Sequence, residues 1–584
     1  MYRNTTQLIA DLERTQQLVR WEERIDPYLE AAAIQRRLFA EGGPAVLFPN
    51  VKGSKFPMVA NLFGTMERIH YIFRDAIDMV KKVMRLGVDP ADFMRRPGYY
   101  LHWKTPLAGW VSRPKRVSTG PVLRNVCTLA DLPQLQCWPQ DGGAYLTLPQ
   151  VYTEDPACPG LLHSNLGMYR VQISGGTYEK DQAGLHYQLH RGIGIHHAMA
   201  VTRREKLRVN VFLGGPPAMT LAAVMPLPEG MSELLFAGML NRGRIPMICR
   251  TGELPISAEA DFCLSGYIEP KLLKPEGPFG DHLGYYSLQH DFPVMRVEKV
   301  YHRDDAVFPF TVVGRPPQED SRIGAFIHEL VGDVVPQTLP GVKAVHAVDD
   351  CGVHPLLLAI GQERYAPYVN TRRPMELLTL SHAILGTGQL SLAKYLFIVA
   401  GEDDPTLDIH DVPRFFKHLL ERADWRNDLH FQTRTTMDTL DYSGEGLHRG
   451  SKLVVAAAGE KRYDLPTEVP RGMPRSRVIL PGVLVTVLSP WQEEDFAVPK
   501  YCTSFPAVHE IHAFRWVVVV DDLDFATGSL RDFLWTLFTK TDPARDIYGI
   551  GSFTRDKHWG CTGPLVFDAR KKGFHAPELE RGEP

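Results

Sequence analysis

The chain has 584 residues, 44% of them hydrophobic, and a formal charge of −3 from 65 basic and 68 acidic side chains. This length is several times that of an average domain, so about two to four domains are expected, and the ordinary balance of apolar and charged residues excludes a disordered chain. Because the charge is close to neutral and no long basic run is present, neither a nucleic-acid partner nor membrane binding by charge is predicted.

The N-terminal residues and the cysteines predict a location in the cytoplasm. Apolar stretches are shorter than the roughly 20 residues that a membrane span needs. The first residues, MYRNTTQLIADLERTQQLVRWEE, are charged throughout, unlike a signal peptide. The eight cysteines form no C-x-x-C pair, which disfavours a thiolate zinc site and a disulfide framework. We therefore expect reduced thiols and no transmembrane segment.

Residues 1–110 predict an N-terminal α/β domain. In the segment TMERIHYIFRDAIDMVKKVMR, apolar residues recur at helical spacing and form one face. The face consists of Ile69, Ile72, Phe73, Ala76, Val80, Val83 and Met84. A face of this kind packs on a hydrophobic core, so we interpret this helix as scaffold.

Residues 111–315 predict a compact β-rich domain. Short runs of β-type residues, such as LRVNVFLGG, KVYH and FPFTVVG, are separated by glycine and proline. This texture differs from the mixed pattern before it and marks a domain boundary near residue 110.

Residues 316–584 predict a C-terminal α/β domain that contains two similar strand–helix units. AKYLFIVAGEDD and FRWVVVVDDLD are buried-type strands that end in acids, and each precedes a helix-like stretch. We expect the two strand–helix units to lie in one sheet, although two copies are too few for a repeat protein. Residues 425–500, between the units, are richer in polar residues, glycine and proline, and we interpret them as an insertion or a mobile cover.

The segment KPEGPFGDHLGYY, residues 274–286, predicts a loop that holds two carboxylates in place. Glu276 and Asp281 flank a Gly-Pro-Phe-Gly tetrad, and its proline and glycines exclude a helix. The sequence contains no P-loop, no Rossmann glycine motif, no H-E-x-x-H and no G-x-S-x-G. ATP chemistry, nicotinamide-dependent dehydrogenation, zinc proteolysis and α/β-hydrolase catalysis are therefore disfavoured.

Four motifs, SNLGMYR, LHRG, PLPEGMSE and EGPFGD, occur in the order and at about the spacing of the UbiD family of decarboxylases, which the chain resembles. GTGQLSLAKYLFIVAGEDD and TKTDPARD extend the resemblance over most of the chain. It implies prenylated FMN as cofactor, supplied by a flavin prenyltransferase. It also implies a central split β-barrel of the flavin reductase type and a C-terminal domain that forms a homodimer or homohexamer.

The resemblance implies a metal site beside the flavin phosphate, formed by Asn165, His190 and Glu233. Amide oxygen, imidazole nitrogen and carboxylate oxygen suit Mn²⁺ or Mg²⁺, and the cation would neutralise the phosphate. A potassium ion near Glu233 and the backbone of residues 222–225 is implied in the same way. The further cofactor contacts that the resemblance implies are Gly167, Met168, Arg170, Leu189, Met225, Pro226 and Lys394.

The catalytic set that the resemblance implies is Arg170, Glu276 and Asp281. In an apolar pocket next to another carboxylate, the charged form of Asp281 is penalised, so we expect its pKa to rise. Arg170 is then expected to pair with Glu276, while Asp281 carries the mobile proton.

Structural roles are alternatives for several of these residues. A single histidine such as His190 is more often structural than ligating, and Arg170 could form a plain buried ion pair. Glu233 could be the first-turn acid of a helix capped by Ser232. Lys394 could be a solvated lysine at a strand edge.

The resemblance implies reversible, non-oxidative decarboxylation of an aromatic or α,β-unsaturated carboxylic acid. Loss of CO₂ from an sp² carbon leaves a carbanion without delocalisation, so a cofactor has to act as electron sink. The long C-terminal part resembles that of family members from quinone pathways, which implies a 4-hydroxy-3-polyprenylbenzoate-like acid of ubiquinone or menaquinone biosynthesis as the first choice and a naphthoate as the second. An ordinary FMN reductase and a non-catalytic assembly subunit are alternatives from other classes.

Overall fold

The computed structural model describes residues 2–89, 91–101, 112–187, 192–227, 232–332, 338–369, 372–444, 446–494 and 496–580. The chain divides into two compact units, the first formed by Met1–Val331 with Glu578–Pro584 and the second by Gly332–Pro577. Each unit has a hydrophobic core of its own. The division into three domains at residues 110 and 315 stays a prediction.

The first unit combines helices and sheets. Its described α-helices are α1 Thr5–Arg14, α2 Glu30–Ala40, α3 Met66–Phe73, α4 Ile77–Val88, α5 Asp92–Arg95, α6 Pro97–Leu101, α7 Gly192–Arg203, α8 Pro217–Ala222, α9 Glu233–Leu240 and α10 Glu319–Val331. Its described strands are β1 Leu18–Arg20, β2 Ala45–Phe48, β3 Met58–Ala60, β4 Lys115–Val117, β5 Asn125–Cys127, β6 Tyr145–Leu146, β7 Gln150–Glu154, β8 Ser164–Gly167, β9 Val171–Gln172, β10 Gln182–Leu185, β11 Leu207–Leu213, β12 Pro246–Ile248, β13 Ile256–Ser257, β14 Phe262–Glu276, β15 Phe279–Gly280, β16 Tyr286–Ser287, β17 His290–His302 and β18 Phe308–Phe310.

The helix predicted from the apolar face at residues 69–84 is present but divides into α3 and α4. The side chain of Thr65 accepts a hydrogen bond from the Arg68 N–H, which starts α3 with the usual N-cap contact. The apolar face is buried on both sides of the break, apart from the half-buried Val83. The face therefore packs on the core, as expected for scaffold.

A nine-stranded antiparallel sheet is the centre of the first unit. Its strands follow the order β6-β9-β10-β17-β14-β11-β7-β8, with β5 beside β17. In the described residues this path is open at β6 and β8, so the sheet is a curled half-barrel. The more specific form of a flavin-reductase-like split barrel stays a prediction.

Three smaller sheets complete the first unit. The N-terminal strands form a four-stranded sheet in the order β1-β2-β3-β18, and β13-β12-β4 form a three-stranded sheet. The strands β15 and β16 pair as a short antiparallel hairpin immediately after the long strand β14. This hairpin carries the segment in which the two carboxylates were predicted.

The second unit is an α/β structure with two five-stranded sheets. Its described α-helices are α11 Glu376–Leu385, α12 Val412–Leu420, α13 Ala497–Thr503, α14 Leu523–Gly528, α15 Leu530–Lys540 and α16 Pro543–Asp546. Its described strands are β19 Val342–Ala347, β20 Leu356–Gly361, β21 Tyr395–Ala400, β22 Leu429–Thr436, β23 Arg449–Ala457, β24 Ser476–Leu480, β25 Val483–Val487, β26 Trp516–Val520, β27 Ile547–Gly549, β28 Ser552–Arg555, β29 His558–Cys561 and β30 Leu565–Asp568. The sheet orders are β19-β20-β21-β23-β22 and β24-β25-β26-β30-β27, and β28 pairs with β29.

The two similar strand–helix units are present, but the expectation that they share one sheet is wrong. β21 and β26 are the central strands of different sheets, and each has a parallel neighbour on both sides. An antiparallel strand forms each edge of both sheets. The two sheets contribute to one hydrophobic cluster, so the similar strands meet through side-chain packing rather than through backbone pairing.

Residues 425–500, interpreted from the sequence as an insertion or a mobile cover, supply strands to both sheets. They contribute β22 and β23 to the first and β24 and β25 to the second. β23 lies between β21 and β22, and seven of its nine residues are buried. These residues therefore belong to the core of the second unit.

Two further features concern the cysteines and the helices. All eight cysteines lie in the described ranges and are free thiols. Among the described residues, no helix combines the length and the apolar character needed to cross a bilayer.

Candidate active site

The candidate active site is assembled where the central sheet meets the β15–β16 hairpin. Arg170 lies in the bend between β8 and β9, and Glu276 is the last residue of β14. Asp281 follows β15 directly. Gly277, in the turn that separates the acids, has a φ of +96°, a backbone conformation that favours glycine. The chain therefore delivers the two acids from either side of one tight turn.

Arg170 is bonded to both of the predicted acids. Its Nε and Nη2 atoms donate to Glu276 Oε1 and Oε2 at 2.9 and 2.7 Å, which makes this contact bidentate. Its Nη1 atom donates to Asp281 Oδ2, and Nη2 also donates to Ser287 Oγ at 2.7 Å. The guanidinium carbon lies 4.7 Å from the centroid of the Phe279 ring. The three residues expected to be catalytic thus form one hydrogen-bonded cluster.

Burial of this cluster determines how its acids are charged. Burial favours neutral Glu276, but the positive Arg170 and the hydrogen bond from His186 outweigh it and hold the pKa of Glu276 at about 2. Burial also opposes charge on Asp281, whereas the hydrogen bond from His282 and the charge of Arg170 hold its pKa below the usual value. The expected rise in the pKa of Asp281 is wrong for this arrangement, because His282 donates a hydrogen bond to Asp281 and Arg170 pairs with both acids rather than with Glu276 alone.

His186 is a member of the site that the motifs did not identify. Its Nδ1 lies 3.2 Å from Glu276 Oε2, and its ring stacks on Phe292 with a centroid separation of 4.1 Å. Ionised Glu276 can only accept hydrogen bonds, so the proton must be on Nδ1. Burial and the nearby Arg170 lower the pKa of His186, which keeps the ring neutral. His186 is therefore a fixed donor that restrains the Glu276 carboxylate.

Contacts of Asp141 and Gly142 fix the backbone of the β15–β16 hairpin. Asp141 Oδ1 accepts a hydrogen bond from the Gly280 N–H at 2.7 Å, and its Oδ2 accepts one from the Trp138 N–H at 2.9 Å. A Cβ atom at Gly280 would lie 2.1 Å from the Trp138 ring, so a larger residue does not fit there. The Gly142 N–H also donates to the Pro278 carbonyl at 2.7 Å. These contacts leave the hairpin little freedom to move.

Asn165 and Glu233, two of the predicted metal ligands, lie next to each other. Glu233 is the first residue of α9, and its Oε2 accepts a hydrogen bond from the Leu166 N–H at 3.3 Å. Asn165 Oδ1 accepts one from the Tyr169 hydroxyl at 3.3 Å. Ser232 is the N-cap residue of α9 and Glu233 lies in its first turn, as the structural alternative expects, although the Ser232 side chain makes no capping hydrogen bond.

Both side chains fit a bound cation. Asn165 Oδ1 accepts one hydrogen bond and keeps a second lone pair that a cation could use. Asn165 Nδ2 is buried without a hydrogen-bond partner among the described residues, and as a donor it suits an anion such as a phosphate. Burial raises the pKa of Glu233 to about 7, because its charged form gains little compensation there. A divalent cation would supply that compensation, and amide and carboxylate oxygens suit Mn²⁺ or Mg²⁺. His190 and Leu189 lie outside the described residues.

The other predicted cofactor contacts of the first unit are grouped at one place. Gly167 and Met168 come at the end of β8, and Met225 and Pro226 follow α8. The Met168 N–H donates to the carbonyl of Ala223 at 2.8 Å, which joins the two segments. Ala223 belongs to the backbone at which a potassium ion was predicted, so that backbone lies beside the end of β8.

Lys394, the remaining cofactor contact that the resemblance implies, belongs to the second unit. It is 1% exposed, so the alternative of a solvated strand-edge lysine is wrong. Its Nζ lies 2.7 Å from Asp441 Oδ2 and 2.9 Å from Ser443 Oγ. Its contact with the cofactor stays a prediction.

Models of three domains of 3-octaprenyl-4-hydroxybenzoate carboxy-lyase match the chain. The N-terminal domain matches residues 9–86, the Rift-related domain residues 114–316 and the C-terminal domain residues 321–457. The chain is also 37% identical to a 4-hydroxybenzoate decarboxylase subunit from Chlamydia pneumoniae, over 95% of this chain and 92% of that protein.

Two solved structures have a similar fold. Vanillic acid decarboxylase from Sedimentibacter hydroxybenzoicus, in closed form, matches with a TM-score of 0.66 and 22% identity over 81% of this chain and 97% of its own. An evolved dimeric form of the UbiD-class enzyme HmfF from Pelotomaculum thermopropionicum, in complex with prFMN, matches with a TM-score of 0.59 and 21% identity over 80% of this chain and 97% of its own. At these identities the likeness concerns the fold alone.

The low pKa of Glu276 predicts that the unfolding free energy of the cofactor-free protein decreases at acid pH. The pKa of Glu276 is about 2 in the folded protein and roughly 4.3 in an unfolded chain. Ionised Glu276 therefore stabilises the folded protein above about pH 4.3, and this stabilisation is lost as the pH falls towards 2. The shift corresponds to about 3 kcal/mol. Glu276→Gln should flatten the fall in unfolding free energy over this range, measured by urea denaturation at several pH values.

Glu298→Gln is the matched control, because it removes an exposed carboxylate that pairs with Arg208. Equal flattening in both variants would show that Arg170 does not hold Glu276 ionised.

Proposed function

The chain belongs to the UbiD family of carboxy-lyases, and we propose that it decarboxylates an aromatic acid, reversibly and without oxidation, using prenylated FMN and a divalent cation. The observation that carries this proposal is the buried cluster in which Arg170 is shared by Glu276 and Asp281. A scaffold protein has no need to bury two acids around one arginine, since each buried charge costs solvation free energy.

The cofactor proposal is supported by the ligand pair and by the solved relative that carries prFMN. Asn165, Glu233 and His190 would hold the cation beside the cofactor phosphate, and the backbone of residues 222–225 would hold a potassium ion. When bound, the cofactor supplies the electron sink for the carbon that loses CO₂. Arg170 and its two acids would orient the substrate and handle the proton.

Asp281 is the proposed proton donor because it has the weaker hold on Arg170. Glu276 receives two hydrogen bonds from the guanidinium, whereas Asp281 receives one. A substrate carboxylate competes for that single contact, since guanidinium binds carboxylates strongly. Burial opposes charge on Asp281, and the hydrogen bond from His282 and the charge of Arg170 offset it, so loss of the Arg170 contact raises the pKa of Asp281 and favours its protonated form. Asp281 then delivers this proton to the carbon that has lost CO₂, and Glu276 stays ionised.

The proposed substrate is a 4-hydroxybenzoate-type acid, with a 3-polyprenyl chain as the first choice and a naphthoate as the second. The name of the Chlamydia pneumoniae relative, a 4-hydroxybenzoate decarboxylase, supports the hydroxybenzoate ring. The name of the matching family models supports the polyprenyl substituent. We further propose a role in quinone biosynthesis, a homodimer or homohexamer in the cytoplasm, and a flavin prenyltransferase as the source of the cofactor.

Cofactor supply tests the proposed function directly. Protein produced together with a flavin prenyltransferase should release CO₂ from 3-polyprenyl-4-hydroxybenzoate, and protein produced without it should not. Mass spectrometry of the bound flavin would establish which form each preparation holds. Equal CO₂ release with unmodified FMN contradicts the proposal, and oxidation of a reduced nicotinamide by that form supports the FMN reductase instead.

Metal and flavin are expected to be lost together. Glu233→Gln removes the charged ligand, so we expect Mn²⁺ and flavin content to fall by at least about tenfold. The contents would be measured by elemental analysis and flavin absorbance after gel filtration. Glu205→Gln is the control, because Glu205 is exposed and pairs with Arg203. Normal metal and flavin content in Glu233→Gln would show that the ligand assignment is wrong.

Asp281→Asn separates proton transfer from cofactor binding. The amide keeps the size of the side chain but cannot exchange a proton near neutral pH, so metal and flavin should stay bound while turnover falls roughly 10²- to 10⁴-fold. The measurement is exchange of the product hydrogen with D₂O in the loaded enzyme. Exchange as fast as in the parent protein would mean that another group is the proton donor.

A further inference from the structure

Residues 578–580 belong to the first unit and lie along the turn of the β15–β16 hairpin. Glu578 forms an isolated antiparallel bridge with Tyr285. The Leu579 N–H donates to the Gly284 carbonyl at 3.0 Å. A segment distant in sequence therefore satisfies backbone groups of the turn.

Leu579 anchors this segment in the hydrophobic core. Its side chain is 6% exposed and belongs to the same buried cluster as Trp138. A Cβ atom at Gly314 would lie 2.8 Å from the Trp138 ring and 3.5 Å from Leu579, so the three residues pack closely. Trp138 in turn fills the space against Gly280. Leu579 thus lies beside the ring that packs against the hairpin.

Glu580 joins the segment to the second strand of the hairpin. Its Oε2 accepts a hydrogen bond from the Tyr286 hydroxyl at 2.5 Å, and its Oε1 accepts one from Gln140 Nε2 at 3.3 Å. Tyr286 is buried, and its neighbour Ser287 accepts a hydrogen bond from Arg170. Glu580 is therefore connected to the catalytic cluster through two adjacent residues of β16.

Asp281 lies inside the turn that these contacts hold closed. Its N–H donates to the Tyr285 carbonyl at 3.0 Å, and its own carbonyl accepts from the Gly284 N–H at 2.9 Å. Gly284 and Tyr285 are also the residues that Leu579 and Glu578 contact. A change at residues 578–580 thus alters the backbone that sets the distance from Asp281 to Arg170.

We propose that residues 578–580 form a strap in which Leu579 and Glu580 are positioning residues for proton transfer by Asp281. The inference rests on the role proposed above for Asp281. The family models end at residue 457, so the strap lies outside the region that they match. Proton transfer is sensitive to such positioning, because a displacement of about 1 Å can cost roughly 10²-fold in rate.

Two substitutions at Glu580, one disruptive and one conservative, test the strap. Glu580 is exposed, and Glu580→Ala removes the carboxylate that accepts the hydrogen bond from the Tyr286 hydroxyl. We expect kcat to fall about 10- to 100-fold with KM little changed. Glu580→Gln keeps an amide oxygen that can accept the same hydrogen bond, so its kcat should stay near that of the parent. Tyr286→Phe should resemble Glu580→Ala, and combining the two should cost little more, since both break the hydrogen bond from the Tyr286 hydroxyl to Glu580.

Hydrogen exchange in the cofactor-free protein gives a readout that does not depend on decarboxylation. Amides of residues 281–287 should exchange faster in Glu580→Ala and in Leu579→Ala than in the parent. Leu579→Met, which keeps the side-chain volume, and the exposed-site control Glu298→Ala should leave that exchange unchanged.

Each outcome separates the strap from the proposed function. Unchanged exchange at the hairpin, a parent-like kcat in Glu580→Ala, or equal losses in Glu580→Gln and Glu580→Ala overturns the strap. Faster hairpin exchange in a protein whose parent decarboxylates no acid would show that residues 578–580 restrain the hairpin, and it would contradict the proposed function.

Discussion

A single buried guanidinium, that of Arg170, determines both the charge and the geometry of the candidate active site. Two carboxylates buried side by side would repel each other, and each would lose its solvation, so without a cation at least one would be protonated. Arg170 satisfies Glu276 with two hydrogen bonds and Asp281 with one. This unequal sharing makes two buried acids chemically different although the same arginine pairs with both.

The surrounding structure preserves this arrangement by restraining each partner through a separate contact. His186 holds Glu276 at Oε2, and the imidazole ring itself is stacked on Phe292. Asp141 holds the hairpin through the Gly280 N–H. The contact to Glu276 comes from a neutral imidazole, and the contact to the hairpin is made to its backbone by Asp141, whose pKa is raised by burial to about 6.

A local signal in the sequence indicated Glu276 and Asp281, whereas Arg170 was implied by the resemblance to the UbiD family. A Gly-Pro turn between Glu276 and Asp281 excludes a helix whatever surrounds it, and alternating or continuous apolar runs predicted strands that are present. His186 and Glu580 were missed because they contact partners 90 and 294 residues away, through tertiary packing that no local spacing encodes. The direction of the shift in the Asp281 pKa was also missed, since it depends on a hydrogen bond from the His282 side chain and on the contact with Arg170 Nη1.

The placement of the ligand pair follows from charge as well as from chain connectivity. Arg170 compensates the buried Glu276 and Asp281, whereas the half-buried Glu233 has no ion-pair partner among the described residues. A phosphate entering beside an uncompensated carboxylate would be repelled, but a divalent cation at Asn165 and Glu233 would reverse the local sign of the potential. Asn165 precedes Arg170 by five residues and contacts Tyr169, so cation and guanidinium would be fixed by one short segment. One residue of the proposed metal site and the guanidinium of the proton-transfer cluster therefore lie on one short segment, residues 165–170.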